Sequence, residues 1–306
     1  MLRFIIRRLL VTIPMIVVVI TLTWGLIRLA PGNFYSGEKK IPKAVEKNIR
    51  EKYGLNKPWY VQYGRTMGHI VRLDFGDSLK YQGQSVNTII ARSLPVSAIV
   101  GILAYVLALI VGITVGSIAA LKQNSKWDYA SMALAMLGIS IPNFVLGPLL
   151  VLLFSLALYW LPPSRWSGFP SRSVVLPVLT LSAIYMAYIA RLTRAGMLEV
   201  LRSDYIRTAR AKGLRERDVV IRHALRGGIM PVVSFTGPAL AFLLTGTVVV
   251  ERIFALPGLG NYFIQASLNR DEPLILGIVA FIAMTLLIMN LLVDIAYAFL
   301  DPRIRY

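Results

Sequence analysis

The residue types that usually carry out chemistry are scarce in this 306-residue chain, and their spacing points away from catalysis. It has two histidines, His69 and His223, far apart in sequence, and no cysteine. Disulfide frameworks and thiolate metal sites are therefore excluded. No His-Glu-x-x-His helix and no Gly-x-x-x-x-Gly-Lys-Ser/Thr phosphate loop occurs, so neither zinc-assisted nor nucleotide hydrolysis is expected of this chain. An enzyme acting within a membrane would need a nucleophile and base, or a metal cluster, inside its spans. Both histidines lie outside the apolar runs. No cofactor or metal is expected here.

What remains are polar groups suited to lining a path. Thr21, Thr23, Ser140, Asn143, Ser182, Thr245, Thr247, Asn290 and Asp294 interrupt otherwise apolar stretches. Of these, Asn143, Thr245, Thr247, Asn290 and Asp294 are the candidate path residues. Small hydroxyls also bond their own helix backbone or pack helix against helix, so packing is the competing role for each. Asp294 is the one acid well inside a membrane run. An ionised carboxylate at mid-helix costs about 2.5 to 3.5 kcal/mol on insertion scales. Two roles are open for it: a gate or proton site, or a structural pair with a cytoplasmic arginine such as Arg191 or Arg194. Asn290 lies one turn earlier on the same helix face.

The second feature is a basic stretch, residues 202 to 226, between two long apolar segments. It reads as two short helices. Ser203 is placed to cap the first and Gly213 to end it, while Glu216 to Asp218 open a second that stops at Gly227 and Gly228. Apolar Tyr205, Ile206, Ala209 and Leu214 stand among Arg207, Arg210 and Lys212. That mixture suits an interface seating a helix in a groove, whereas a solvated basic face near anionic lipid is the plainer alternative. Gly213 tolerates the positive φ that a sharp turn between the helices requires.

These features must be held by elements that live in lipid. Hydrophobic residues make up 56% of the chain and charged ones 16%. Six uncharged runs reach or approach the roughly 20 residues needed to cross a hydrocarbon core of about 30 Å: Leu9 to Ile27, Ser93 to Leu121, Tyr129 to Ser164, Ser173 to Ala190, Gly227 to Val250 and Pro273 to Val293. Backbone satisfaction in lipid requires helices. The expected class is an all-α integral membrane protein with spans at 9–30, 93–121, 129–160, 173–190, 229–250 and 273–299, its central transmembrane domain covering about 93–295. The third run is read as one helix bent near Pro142, which removes a backbone donor.

Short basic segments set the orientation. Arg3, Arg7 and Arg8 precede the first run, Lys122 and Lys126 separate the second and third, and Arg303 and Arg305 follow the last. Residues 191–226 carry ten Lys or Arg against four acids. Both termini, the loop 122–128 and the loop 191–228 are thus expected in the cytoplasm. The segments 31–92, 161–172 and 251–272 are expected outside it. Segment 31–92 is read as a small cap with helices near 42–52 and 58–71. The net charge of +18 follows from this bias, and no aromatic-basic module suggests nucleic acid. The apolar stretch near the N terminus is too long, and its Arg28-Leu29-Ala30-Pro31 flank too poor a cleavage site, for a signal peptide.

The run Tyr205-Ile-Arg-Thr-Ala-Arg-Ala-Lys-Gly213, followed by Arg222-His-Ala-Leu-Arg226 and Met230-Pro231, resembles the cytoplasmic loop of permeases in bacterial ATP-binding-cassette importers. That family's general pattern is Glu-Ala-Ala, three residues, Gly, nine residues, then Ile-x-Leu-Pro. Here the positions read Arg207-Thr208-Ala209, Gly213, His223, Leu225 and Arg226, with the Glu, one Ala, the Ile and the Pro replaced. The departures agree with the peptide and nickel branch. The resemblance extends through Leu29-Ala-Pro-Gly32, Tyr53-Gly-Leu-Asn56, Asp74-Phe-Gly76, Ala120-Leu-Lys-Gln-Asn124, Asp128-Tyr129, Leu256-Pro-Gly-Leu-Gly260, Asn269-Arg270-Asp271 and Asp301-Pro-Arg-Ile-Arg305.

The resemblance implies the type I importer permease fold in a bacterial inner membrane, with a second, homologous permease beside this chain. It also implies two ATPase subunits carrying ATP and Mg, and an extracytoplasmic binding protein that delivers oligopeptides. Tyr205, Ile206, Arg207, Thr208, Ala209, Arg210, Ala211, Lys212, Gly213 and Leu214 become the ATPase-coupling element, with Thr208 and Ala209 where the family's docking helix meets its ATPase. Leu256, Pro257, Gly258, Leu259 and Gly260 become a second contact, for the binding protein. Dipeptides, nickel, glutathione or a murein peptide are alternative cargoes. An ion-driven secondary transporter is a different class, disfavoured by scarce intramembrane acids and by the absence of obvious broken-helix pairs.

Overall fold

The computed structural model describes residues 2–29, 47, 51, 54, 56–163 and 165–300. Of the expected cap helix near 42–52 only residues 47 and 51 are described, both helical, and the Asp301 to Arg305 ending lies outside the described residues. The described chain is helical apart from turns and one isolated bridge, Asp77 to Ser85. It forms two compact units, one from Met1–Val96 with Pro257–Leu287, the other from Ser97–Leu256 with Ile288–Tyr306.

The first unit contains α1 (Leu2–Leu29), α2 (Trp59–Val71), the start of α3 (Val86–Leu121), α12 (Leu259–Asn269) and the first half of α13 (Glu272–Leu300). Ile20 and Trp24 of α1 pack with Ile70 of α2 and Leu276 and Ala280 of α13. Val86, Ile89 and Ile90 pack with Leu259, Ala266, Leu274 and Ile278. Leu10, Ile13, Leu22 and Leu26 of α1 are exposed on the chain itself, as suits a face turned to lipid. Asp271, fully buried, caps α13 by accepting the Leu274 N–H at 3.3 Å. It also takes the backbone N–H groups of Leu79 and Lys80, each at 3.1 Å, and the Ser78 hydroxyl.

The second unit is built around α6 (Val175–Leu201). The rest of α3, α4 (Lys126–Ser140), α5 (Asn143–Val151), α10 (Met230–Leu244) and α11 (Val248–Ile253) accompany it. Glycines permit the close crossings, as expected where helices associate without a hydrophobic driving force. A Cβ at Gly116 of α3 would overlap the Ala190 carbonyl oxygen, one at Gly112 would stand 2.7 Å from the Ile189 side chain, and one at Gly138 of α4 would stand 3.0 Å from the Ala183 carbonyl oxygen. Between α6 and α10 lie α7 (Asp204–Ala211), α8 (Glu216–Asp218), a π-helical turn at Val219–Ala224 and α9 (Leu225–Gly228).

Several expectations need correction. The third apolar run is not one bent helix: α4 and the arm from Asn143 to Ala157 diverge by 102°. A proline disfavours helical geometry in the residue before it, and Ile141 is extended (φ −88°, ψ 112°). Each arm has 15 residues, about 22 Å of helix, and is shorter than the hydrocarbon core. The fifth run breaks at Thr245 to Thr247, where Gly246 adopts φ +90°. The third and fifth runs are thus both interrupted. The second helix starts at Val86, ahead of the charge-free run. The fourth runs on to Leu201, through Arg191, Arg194 and Glu199, so the polar stretch after it begins at Arg202.

Candidate functional site

The expected docking stretch is folded. In α7, Ile206 is fully buried and Ala209 nearly so, three residues apart on one helix face. They join Ala120 of α3, Met197 of α6, and Val219 and Ala224 in one apolar cluster, with Leu198, Val200, Leu201, Val220 and Leu225 packed against it. The opposite face leaves Tyr205, Arg207, Thr208, Arg210, Ala211, Lys212, Gly213 and Leu214 exposed. Ile206 and Ala209 thus face inward, and the outward surface belongs to the other eight residues of the expected site.

The two ends of α7 differ in how they are closed. Ser203 holds the N-cap position with extended backbone (ψ 155°), but its hydroxyl turns back to donate to the Val200 carbonyl at 2.6 Å, so the expected side-chain cap is not formed. At the other end Gly213 has φ +76° and donates to the Arg210 carbonyl at 2.9 Å, while Leu214 N–H reaches the Ala209 carbonyl at 3.4 Å. These two bonds are the Schellman pattern. Arg210 then ties α7 to α8 through both carboxylate oxygens of Glu216, at 2.7 and 3.1 Å. The Arg210 guanidinium beside Glu216 holds that carboxyl below the usual carboxylate range. Arg207 pairs with Asp204, and Arg222 with Asp218 at 3.4 Å.

This element is welded to the membrane helices at one crossing. A Cβ at Gly196 of α6 would overlap the carbonyl oxygen of Gly228 in α9, and one at Gly228 would stand 2.7 Å from the Met197 sulfur. Tyr205 lies along the same seam, its hydroxyl 3.1 Å from where a Gly227 Cβ would be.

The path candidates are dispersed. Thr245 is buried and its hydroxyl donates to the Ala241 and Phe242 carbonyls at 3.0 and 3.1 Å, which is the packing role. Thr247 stands at the N-cap of α11 and Asn143 at the start of α5, each beside a helix break. Asn290 packs its Oδ1 against Gly237 of α10. Asp294 is half-buried one turn further along α13. The suggested pairing of Arg194 with Asp294 is replaced by another: Arg194 closes on Asp128, Nε to Oδ1 at 2.7 Å and Nη2 to Oδ2 at 2.8 Å. In the Leu256 to Gly260 turn only Pro257 is exposed. Leu256 and Leu259 are buried, and Leu259 belongs to the apolar core of the first unit. This turn offers little surface to a partner.

Sequence reasoning missed three buried acids. Asp128, Asp271 and Glu251 are each less than 4% exposed, and Ser97 donates to Glu251 at 2.7 Å. Each stands at the edge of an apolar run, where charge alone reads as solvated. The available signal was local: Ser125 sits three residues before Asp128, an N-cap spacing.

Residues 112–306 match the family model for the binding-protein-dependent transport system inner membrane component, and residues 1–101 match the model for the N-terminal part of such membrane components. The oligopeptide transport system permease protein OppB of Escherichia coli K12 is 47% identical over 306 residues, covering all of both chains. The dipeptide transport system permease protein DppB of Bacillus subtilis is 44% identical over 305 residues, covering 100% of this chain and 98% of the relative. Among solved structures, an inward-facing MetNI methionine ABC transporter chain superposes with a TM-score of 0.59 at 14% identity, over 70% of this chain and 96% of that one.

Proposed function

The chain belongs to the inner-membrane components of binding-protein-dependent transport systems, and we propose that it is the permease subunit of an ATP-driven importer of oligopeptides. The full-length 47% identity to an oligopeptide permease carries this reading. In it, the chain supplies half of a translocation path, the other half coming from a second, homologous permease. Two ATPase subunits bring ATP and Mg, and an extracytoplasmic binding protein delivers the peptide. Membrane lipid covers the apolar outer faces, and both termini lie in the cytoplasm.

The outward face of α7 is what supports the docking assignment. A short helix whose apolar side is spent inward on Ile206 and Ala209, and whose end is fixed by a Schellman turn, is a rigid element. It can be moved as a body by a partner that grips Tyr205, Thr208, Ala211 and Leu214. Closure of the ATPase pair would displace α7 together with α9 and the end of α6, changing which side of the bilayer the path faces.

Dipeptides are the second cargo reading, favoured by the 44% identity to a dipeptide permease. Proteoliposomes holding the whole importer, with internal ATP and labelled peptides of two to five residues, test both. Uptake that needs ATP and the binding protein is the expected result, and the lengths accepted decide between the cargoes. Uptake driven by an ion gradient alone would overturn the reading.

A further inference from the structure

The carboxylate of Asp128 is held from every side. Its side chain is 3% exposed. The fork of Arg194 occupies both oxygens, and Asn124, with φ +62°, turns its N–H onto Oδ2 at 3.0 Å. The Asp128 N–H in turn donates to Ser125 Oγ at 3.4 Å. The start of α4 is thus closed around one carboxylate, and that carboxylate is bound to α6 by a planar two-bond fork, the most directional ion pair available to side chains.

The position of Arg194 matters as much as the bond. It lies on the last turns of α6, two residues before Gly196, where α9 crosses, and three before Met197, which packs on Ile206 and Ala209 of α7. One short length of α6 therefore meets the docking helix, α9 and the start of α4. Elsewhere α4 and α6 touch through apolar residues, with Ala135, Ala187 and Ala190 in one cluster, Met132 and Ile139 packed against it, and Gly138 against the Ala183 carbonyl. Dispersion contacts of this kind carry little directionality and permit small sliding, the shear motion of packed helices. Only the Asp128 and Arg194 fork, among the bonds described between these helices, fixes their axial register.

We propose that Asp128 and Arg194 are positioning residues of the importer: the fork locks α4 to α6, so displacement of α7 reaches the 102° bend at Ile141 and Pro142 and the arm beyond it. That arm bears on α11, since a Cβ at Gly147 of α5 would meet Ile253 at 3.3 Å. The pair thus ties ATPase movement to the far end of the unit. This inference rests on the importer reading above.

The test uses the complete importer in proteoliposomes with binding protein and internal ATP. Arg194→Lys keeps the charge and loses the fork, and Asp128→Asn keeps the shape and loses the charge. Both are expected to leave binding-protein-stimulated ATP hydrolysis within about twofold of wild type and to lower peptide uptake per ATP about tenfold. Because the chain has no cysteine, the double variant Asp128→Cys/Arg194→Cys can be bridged by a bis-methanethiosulfonate of matching length, each cysteine thiolate displacing methanesulfinate to form a reducible disulfide. Bridging should restore uptake and reduction should abolish it again, a reversal that a merely structural role would not show. Should Asp128→Asn fail to assemble, Arg194→Lys and the bridged pair still decide. Unchanged uptake per ATP in Arg194→Lys, or parallel loss of uptake and hydrolysis that bridging does not reverse, would overturn the inference. A wild-type importer without ATP-dependent uptake would instead overturn the importer reading, and this inference with it.

Discussion

At the scale of single residues, Gly213 carries the clearest consequence. Its φ of +76° lies in the left-handed region, where a side chain costs roughly 1 to 2 kcal/mol. Gly213→Val is expected to destabilise the end of α7 by about that amount and to reduce peptide uptake while the complex still assembles; paired uptake and complex-yield measurements check it. Glu216 gives a pH expectation. Its folded-state pKa is lowered by the Arg210 hydrogen bonds, so its contribution is present at neutral pH and is lost as pH falls through that lowered value, below the ordinary range near about 4.3. Both partners are more than one-third exposed, which limits the effect to about 0.5 kcal/mol. Thermal melts of Glu216→Gln and wild type should therefore differ slightly at pH 7, with the difference shrinking as the pH falls through that lowered value. Gly213 was legible in the sequence because a glycine closing a short polar helix has one ready explanation. Asp128 was not, since its burial depends on an arginine 66 residues away.

At the scale of elements, the glycines separate into two kinds. Gly196→Ala must push α6 off α9 at the Gly228 carbonyl and is expected to cost about 1 to 3 kcal/mol, as overpacking does. Gly68→Ala in α2 meets nothing within 4 Å and should be neutral or stabilising by up to about 1 kcal/mol through helix propensity. Thermal unfolding of the detergent-solubilised complex distinguishes the two. Apolar runs marked where helices form, because hydropathy reports the solvent directly. They did not mark where helices end. Arg191 and Arg194 end the fourth charge-free run, yet the helix continues through them, because arginine is a good helix former and the Arg194 guanidinium is paired with the buried Asp128 carboxylate. The break around Gly246 was invisible for the converse reason: glycine in an apolar run is also what close helix packing uses, as at Gly112 and Gly116.

At the scale of the whole molecule, the orientation derived from basic loops meets a direct test. A lone cysteine introduced as Thr208→Cys, on the exposed face of α7, is expected to react with a membrane-impermeant maleimide in inside-out vesicles and not in right-side-out ones, and to be shielded when the ATPase subunits are bound. Labelling from the outside would reverse the topology. The division of α7 into two faces reaches further than docking. Ile206 and Ala209 answer only to the chain's own core, while Thr208, Ala211 and Leu214 are exposed outside it. In the proposed importer, fit to oneself and fit to a neighbour are thus written in separate letters of the same ten-residue stretch, Tyr205 to Leu214. On the proposed docking reading, a new motor is recruited by rewriting the outer letters alone, with the inherited scaffold left as it stands.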